Sequence, residues 1–584
     1  MAWLTWREVG GSRWLHRLFL VLALLVAIAQ SGFYFPRTVD DLFISLRYAQ
    51  HLATGQGCVY NPGEHVEGFS SPLWLLLQAG TIAAGLDGVT GTKLLSLLSL
   101  VAFGWCAERF PRVIFGTGRL CASLGVLSLA ANSYVMAWGW LGLETPLYLC
   151  LLLAFPLALH WYQDHGALRA LVTGVLLGVA LGAVRPEAPL FVGLLSASAF
   201  AATWRAAGDG GGARRRTAFA ASLVAVCLTL LALARFMYFD RWLPHTFDAK
   251  QGGGLELGNL ASLVTAGAHW SERLLLLSAT GASCVLARRG RTEPLAILLG
   301  TTMFVALVAA DWMPNQRHLL PVWAFGTLAV LAVASRALVV AERGTRWQCL
   351  SLALLVLLVR TGLYQARVDS RFAPRDFTTH GHGRTWVRFK TRAAWVDAWD
   401  ALRRRPPSHV AAMPVSRMGM ITQLFRILET APGDEANEWY VGRDIGRVGY
   451  LSPVRVFDTD GLFTPAVPRL LPSPSQDTVS PELLEIAWTH HPLAGEIYEN
   501  WSSALGRAPA LLDNYDVVVG SRRRPVAFVR RGQRPSARLV AARYERVSAQ
   551  LPQWFFVATL YGECVGAAVE RRRNHALHTE GPDP

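Results

Sequence analysis

Residues 18–48 read LFLVLALLVAIAQSGFYFPRTVDDLFISLRY. The run from Leu18 to Phe35 is apolar and long enough for a helix to enter and cross a hydrocarbon layer of about 30 Å. Arg7, Arg13, His16 and Arg17 precede it and no small-residue cleavage site follows, so it reads as a helix that stays in the membrane, not as a removed signal peptide. A few residues beyond it stand two adjacent carboxylates, Asp40 and Asp41. Ionised groups at a membrane boundary are costly without a purpose.

The remainder of the chain agrees with that class. Its 584 residues are 52% hydrophobic and 17% charged, with a mean hydropathy of +0.29, too little polar surface for an ordinary soluble protein. Apolar blocks near 18–35, 92–106, 119–138, 145–162, 168–184, 187–203, 217–238, 271–287, 294–310, 318–340 and 347–364 predict about eleven transmembrane helices. The block at 72–86 is read as a surface or re-entrant helix. As a full span it would put Arg109, Arg112 and Arg119 outside and break the positive-inside bias of every later loop.

With the N-terminus inside, the basic clusters at 108–119, 205–216 (RAAGDGGGARRR), 288–291 and 343–346 are cytoplasmic. The opposite face then collects VDDLF (39–43), GLETPLY (142–148), RPE (185–187), YFDRWLPHTFDAK (238–250) and DWMPNQRHLLP (311–321). The fold expected is a polytopic α-helical membrane protein, with a transmembrane domain over 1–364 and a first extracytoplasmic loop at about 36–91. Residues 365–584 form a C-terminal extracytoplasmic mixed α/β domain, with strand-like runs YDVVVG (515–520) and PVAFV (525–529).

The net charge of +15 does not imply nucleic-acid binding, because the basic residues sit in short clusters between apolar blocks, where topology requires them. Lysine occurs only at 93, 250 and 390, which makes each one more informative than an arginine. The eight cysteines show no metal-ligand spacing. Cys58 and Cys564 share the outer side in this topology, and a bridge between them requires a proximity that the sequence does not supply.

The spacing from Leu42 to Ala53 predicts a short helix starting just after the aspartates. One aspartate there has an ordinary use as an N-cap. The second is then left beside it in a partly desolvated place, where a carboxylate near a like charge suits a general base. Glu64 and Glu67 in NPGEHVEG follow on the same loop, where a Pro-Gly turn ordinarily carries solvated charges. Arg185, Arg241, Lys250, Arg317 and His318 converge on the outer face, where they either snorkel or hold a phosphate. Glu144 and Asp311 lie at outer helix ends, either as partners of those arginines or as groups that orient a hydroxyl.

The run DDLFISLRYAQHLATGQGCVYNPGEHVEGFSSPLWLLL (40–77) resembles the first extracytoplasmic loop of GT-C glycosyltransferases similar to the mycobacterial terminal arabinofuranosyltransferase family. The resemblance continues through GLET, RPE, the aromatic-Asp-x-x-Leu-Pro-x-Thr-x-x-x-Lys segment at 239–250, DWMPNQRHLLP and DIGRVGYLSPVRVFDTDGL (444–462). His245 departs from it, standing where Asn is expected.

The resemblance implies a multi-pass protein of the bacterial inner membrane that moves a monosaccharide from a polyprenyl-phosphate carrier to a glycan, lipid or protein acceptor. Asp40 and Asp41 would share the base and orienting roles. Arg185, Arg241, His245, Lys250, Arg317 and His318 would face the donor, and Glu64, Glu67, Glu144, Glu187 and Asp311 the acceptor or the orienting network. No cofactor is required by the sequence. A divalent cation is compatible with the aspartates, although no oxygen-ligand loop demands one. The rival readings are a transporter, which predicts charges near the bilayer midplane and on both faces, and a non-catalytic envelope assembly protein.

Overall fold

The computed structural model describes residues 13–35, 38–204, 210–242, 244–246, 270–307 and 317–340. In the C-terminal part it describes 438–442, 445–451, 454–459, 461–462, 464–470, 479–496, 501, 504–505, 511, 515–519 and 525–530. Helices α1 (Arg13–Tyr34), α2 (Asp40–Ala53), α3 (Pro72–Ala83), α4 (Gly88–Val113), α5 (Arg119–Ala130), α6 (Ser133–Trp140) and α7 (Thr145–His165) come first. They are followed by α8 (Leu168–Gly182), α9 (Ala188–Trp204), α10 (Gly210–Phe239), α11 (Trp270–Arg288), α12 (Glu293–Leu307) and α13 (Leu320–Val340), the last entered through a 3-10 turn at Arg317–Leu319.

Among the described residues five helices, α1, α4, α7, α10 and α13, are long and apolar enough to cross a membrane, or up to six spans if α5 and α6 count as one. The chain is thus an integral, multi-pass membrane protein. The expected span at 119–138 is broken: α5 and α6 meet at 63° because Asn132 caps a new helix there, its side chain accepting from Tyr134 N at 3.0 Å and Val135 N at 3.3 Å. Helix α3 has 12 residues, about 18 Å of rise, and does not cross by itself. The other expected spans at 168–184, 187–203, 271–287 and 294–310 correspond to shorter apolar helices, and 347–364 lies outside the described residues.

Helix α7 is the centre of the bundle, 78% of its apolar window being buried, against 11% for α1 and 17% for α10. Leu24, Leu25, Leu98, Val101, Leu176 and Leu230 accordingly show their side chains on the outside, as a lipid-facing surface requires. Small residues let helices approach in the absence of a hydrophobic drive between them. A Cβ at Gly178 of α8 would lie 2.8 Å from both Phe155 of α7 and Val224 of α10.

The C-terminal part carries a five-stranded mixed sheet in the order β2-β1-β3-β5-β4, built from β1 (Trp439–Gly442), β2 (Arg455–Asp458), β3 (Ala494–Glu496), β4 (Tyr515–Val519) and β5 (Pro525–Arg530). Strand β1 runs parallel to β2 and β3, while β5 is antiparallel to β3 and β4. The two runs read as strands from sequence are β4 and β5. Short helices α14 (Gly446–Leu451), α15 (Ala466–Leu470) and α16 (Pro481–Thr489) complete the described part, with α16 packed through Leu483, Leu484, Ala487 and Trp488 in its core.

The basic turns gather at one end of the bundle. His16 Nδ1 lies 3.2 Å from Arg119 O, Arg112 pairs with Glu108 at 2.6 Å, and the Arg336 guanidinium donates to Phe115 O. The Asp40 turn and the sheet domain meet at the other end, through bonds between residues 61 and 456 among others. Reporters fused after residues 60 and 475 should therefore read the same side of the membrane, and one fused after residue 210 the opposite side. A split between 60 and 475 would rule out the hydrogen bonds between these regions.

Candidate active site

The first residue before α2 is Val39, in an extended conformation (φ −105, ψ 157) with no side-chain cap, and its N–H donates to Leu141 O at 3.3 Å. Neither aspartate is thus the N-cap. Asp40 and Asp41 are the first two helical residues, in the turn where unpaired amides and the helix dipole favour negative charge. Asp40 Oδ2 accepts the backbone N–H of Gly446, at the start of α14, at 2.7 Å.

Two further outer segments are joined to this turn. Trp74 Nε1 donates to Gly142 O at 3.1 Å and Leu73 N donates to Ala183 O at 3.0 Å. The start of α3 thereby holds the GLET and RPE turns together, and the former also meets α2 through Val39 N and Leu141 O. There Arg185 is buried, its Nη1 donating to Glu144 at 2.6 Å and its Nε to Glu187. Its guanidinium also sits 5.5 Å from the centre of the Tyr148 ring. Arg185 was expected to face the donor, with Glu144 either its partner or an orienting group, and the structure places two of its nitrogens on carboxylates. Proximity explains it: Glu187 is two residues away and Glu144 opens the neighbouring helix α7.

A second group forms around Glu67. This carboxylate is buried and pairs bidentately with Arg235 near the end of α10, at 3.0 and 2.8 Å. Burial pushes the Glu67 carboxyl up, and the Arg235 contact opposes that shift. Glu67 O also accepts the backbone N–H of His245 at 3.0 Å, and the Arg241 guanidinium donates to His245 Nδ1 at 3.0 Å. Glu64 is separate. It accepts from Asn61 Nδ2 at 3.1 Å, and burial raises its carboxyl too.

Arg317 is buried with its guanidinium 5.5 Å from the Trp138 ring centre, which brings the 3-10 turn that enters α13 to α6. His318 meets the Phe304 ring edge-on at 5.0 Å. Lys250 and Asp311 lie outside the described residues, as does Cys564. Among the described residues no three His, Cys, Asp or Glu side chains come together as metal ligands.

Several residues that build the site have no local signature. Arg235 and Lys93 were legible only as charges inside apolar blocks. Lys93 is buried in α4, donates to Trp140 O and sits 5.8 Å from the Phe35 ring. Arg47, Tyr60, Asn61 and Gly446 show their partners only in three dimensions.

No family model and no curated protein matches the chain. Solved structures do. ArnT from Cupriavidus metallidurans bound to undecaprenyl phosphate aligns over 89% of this chain and 99% of its own, with a TM-score of 0.53 at 15% identity. The apo form of the same protein aligns over 88% and 97%, with a TM-score of 0.51 and 15% identity. At such identity the likeness is one of fold: this chain shares with that protein a polytopic helical membrane fold, with a small sheet domain at its C-terminal end.

Proposed function

We propose that the protein is a glycosyltransferase that moves a monosaccharide from a polyprenyl-phosphate carrier to a glycan, lipid or protein acceptor on the extracytoplasmic face of a bacterial inner membrane. The observation that carries this reading is the Asp40–Asp41 pair in the first turn of α2, held between the Leu141–Glu144 turn and the sheet domain. Its resemblance to the GT-C first loop and the shared fold with a protein crystallised with undecaprenyl phosphate support the donor class.

In this reading an acceptor hydroxyl oxygen attacks the anomeric carbon while the bond from that carbon to the phosphate oxygen breaks. The electron pair departs with the polyprenyl phosphate, and the hydroxyl proton passes to one aspartate as the other orients the acceptor. Cations at the membrane surface favour the leaving phosphate, the roles proposed for Arg241, His245, Lys250, Arg317 and His318. Arg185 orders Glu144 and Glu187, which face the orienting side.

The test is transfer by the purified protein in lipid vesicles, using labelled polyprenyl-phosphate pentoses and hexoses with an acceptor fraction. Label should leave the lipid phase for the acceptor as free polyprenyl phosphate appears. Parallel reactions with a chelator read any divalent-cation requirement. No transfer from any of the donors would overturn the proposal.

A further inference from the structure

We propose that the sheet domain is a working part of the active site, and that Gly446 is a positioning residue which fixes the Asp40–Asp41 turn. This rests on the reading of that pair as the group that handles the acceptor hydroxyl.

The bond from Gly446 N to Asp40 Oδ2 joins residues 406 apart in the chain, and the contacts around it leave it little freedom. Arg47 lies two helical turns beyond Asp40 and is fully buried. It donates to Tyr60 O at 2.7 Å, Gly449 O at 2.7 Å and Val454 O at 2.8 Å. Tyr60 OH donates to Ile445 O at 2.8 Å, so carbonyls on both sides of Gly446 are held by the first loop. The Asn61 side chain pairs with both the N–H and the C=O of Val456, at 2.9 Å each, occupying the place a neighbouring strand would take. Arg455 Nη2 donates back to Pro62 O at 2.8 Å.

A dock built solely for stability would not need a carboxylate at Asp40 or a bare backbone opposite it. A Cβ at Gly446 would fall 2.8 Å from Asp40 Oδ2 and closer still to Asp40 O. The close approach thus requires glycine at 446, and any side chain there pushes the first turn of α2 aside. Misplacing a reacting group by about 1 Å costs up to about a hundredfold in rate, while donor binding elsewhere is untouched.

The experiment is a kinetic comparison on the full chain in vesicles. Gly446→Ala should lower kcat about ten- to a hundredfold with KM for the lipid donor unchanged, because the added Cβ displaces the turn that carries Asp40 and Asp41. Tyr60→Phe, which removes one hydroxyl and keeps the ring, should shift kcat in the same direction by less. Ser480→Ala removes the cap at Leu483 N in α16, away from the dock, and should leave kcat unchanged.

Hydrogen exchange of the 38–48 backbone supplies a readout that needs no turnover, and should quicken in Gly446→Ala and Tyr60→Phe alone. A wild-type kcat in Gly446→Ala overturns the inference, as does a raised KM for the lipid donor with kcat unchanged. If Gly446→Ala does not fold, a wild-type kcat and unchanged exchange in Tyr60→Phe overturn it. If the wild-type protein transfers no sugar, the proposed function fails separately, and exchange at 38–48 still decides whether the sheet domain fixes the turn.

Discussion

Asp41→Asn is expected to lower glycosyl transfer by about a hundredfold or more, the usual consequence of losing a general base, with little change in melting temperature. The helix start does not depend on either carboxylate as a cap, because Val39 is the N-cap and carries no side-chain cap bond. Asp40→Asn should cost less. Oδ2 of Asp40 accepts the Gly446 N–H, and an amide oxygen can accept the same bond. The two variants and the double variant, assayed with one labelled donor, read base and orienting roles as unequal losses in kcat. If both single variants transfer at near wild-type rates, the pair is only a favourable helix start, and the base must be sought at Glu64, Glu67, Glu144 or Asp311. Of these, Glu67 and Glu144 already hold arginines.

The membrane class, the existence of α2, though not its start two residues earlier at Asp40, the short α3 and the two strands at 515–519 and 525–530 were legible because each is written in local periodicity and length. The break at Asn132 was legible in principle: a polar residue with strong capping preference sits inside an apolar block, and the block was instead read as continuous. Distant pairings were not. Glu67 looks like a solvated turn charge until Arg235, 168 residues later, arrives at the end of α10. The dock of 445–456 on 40–62 joins residues about 400 apart through backbone carbonyls, and a carbonyl has no sequence signature. The pairing of Arg185 was hidden for a related reason. The charge was visible, but the nearness of Glu144 to Glu187 depends on how α7, α8 and α9 pack.

That cluster sets the second large effect. Arg185→Met should destabilise the protein by about 3–5 kcal/mol, the cost of leaving buried charge without its partner. Both Glu144 and Glu187 are buried, and without the guanidinium two like charges would face each other in a medium that solvates neither. Arg185→Lys should recover only part, because one ammonium cannot reproduce two guanidinium nitrogens aimed at different carboxylates. Combining Arg185→Met with Glu144→Gln and Glu187→Gln should restore most of the melting temperature, since neutral amides remove the repulsion. Thermal melting of the four purified proteins in one detergent reads all of this. A cation whose main work was at the donor phosphate would give the opposite pattern: Arg185→Met would melt like wild type and fail to bind lipid donor, and the glutamine pair would rescue nothing. The two hydrogen bonds to carboxylates, in a place shielded from solvent, favour the first outcome and make Arg185 the residue that keeps the two acidic turns together.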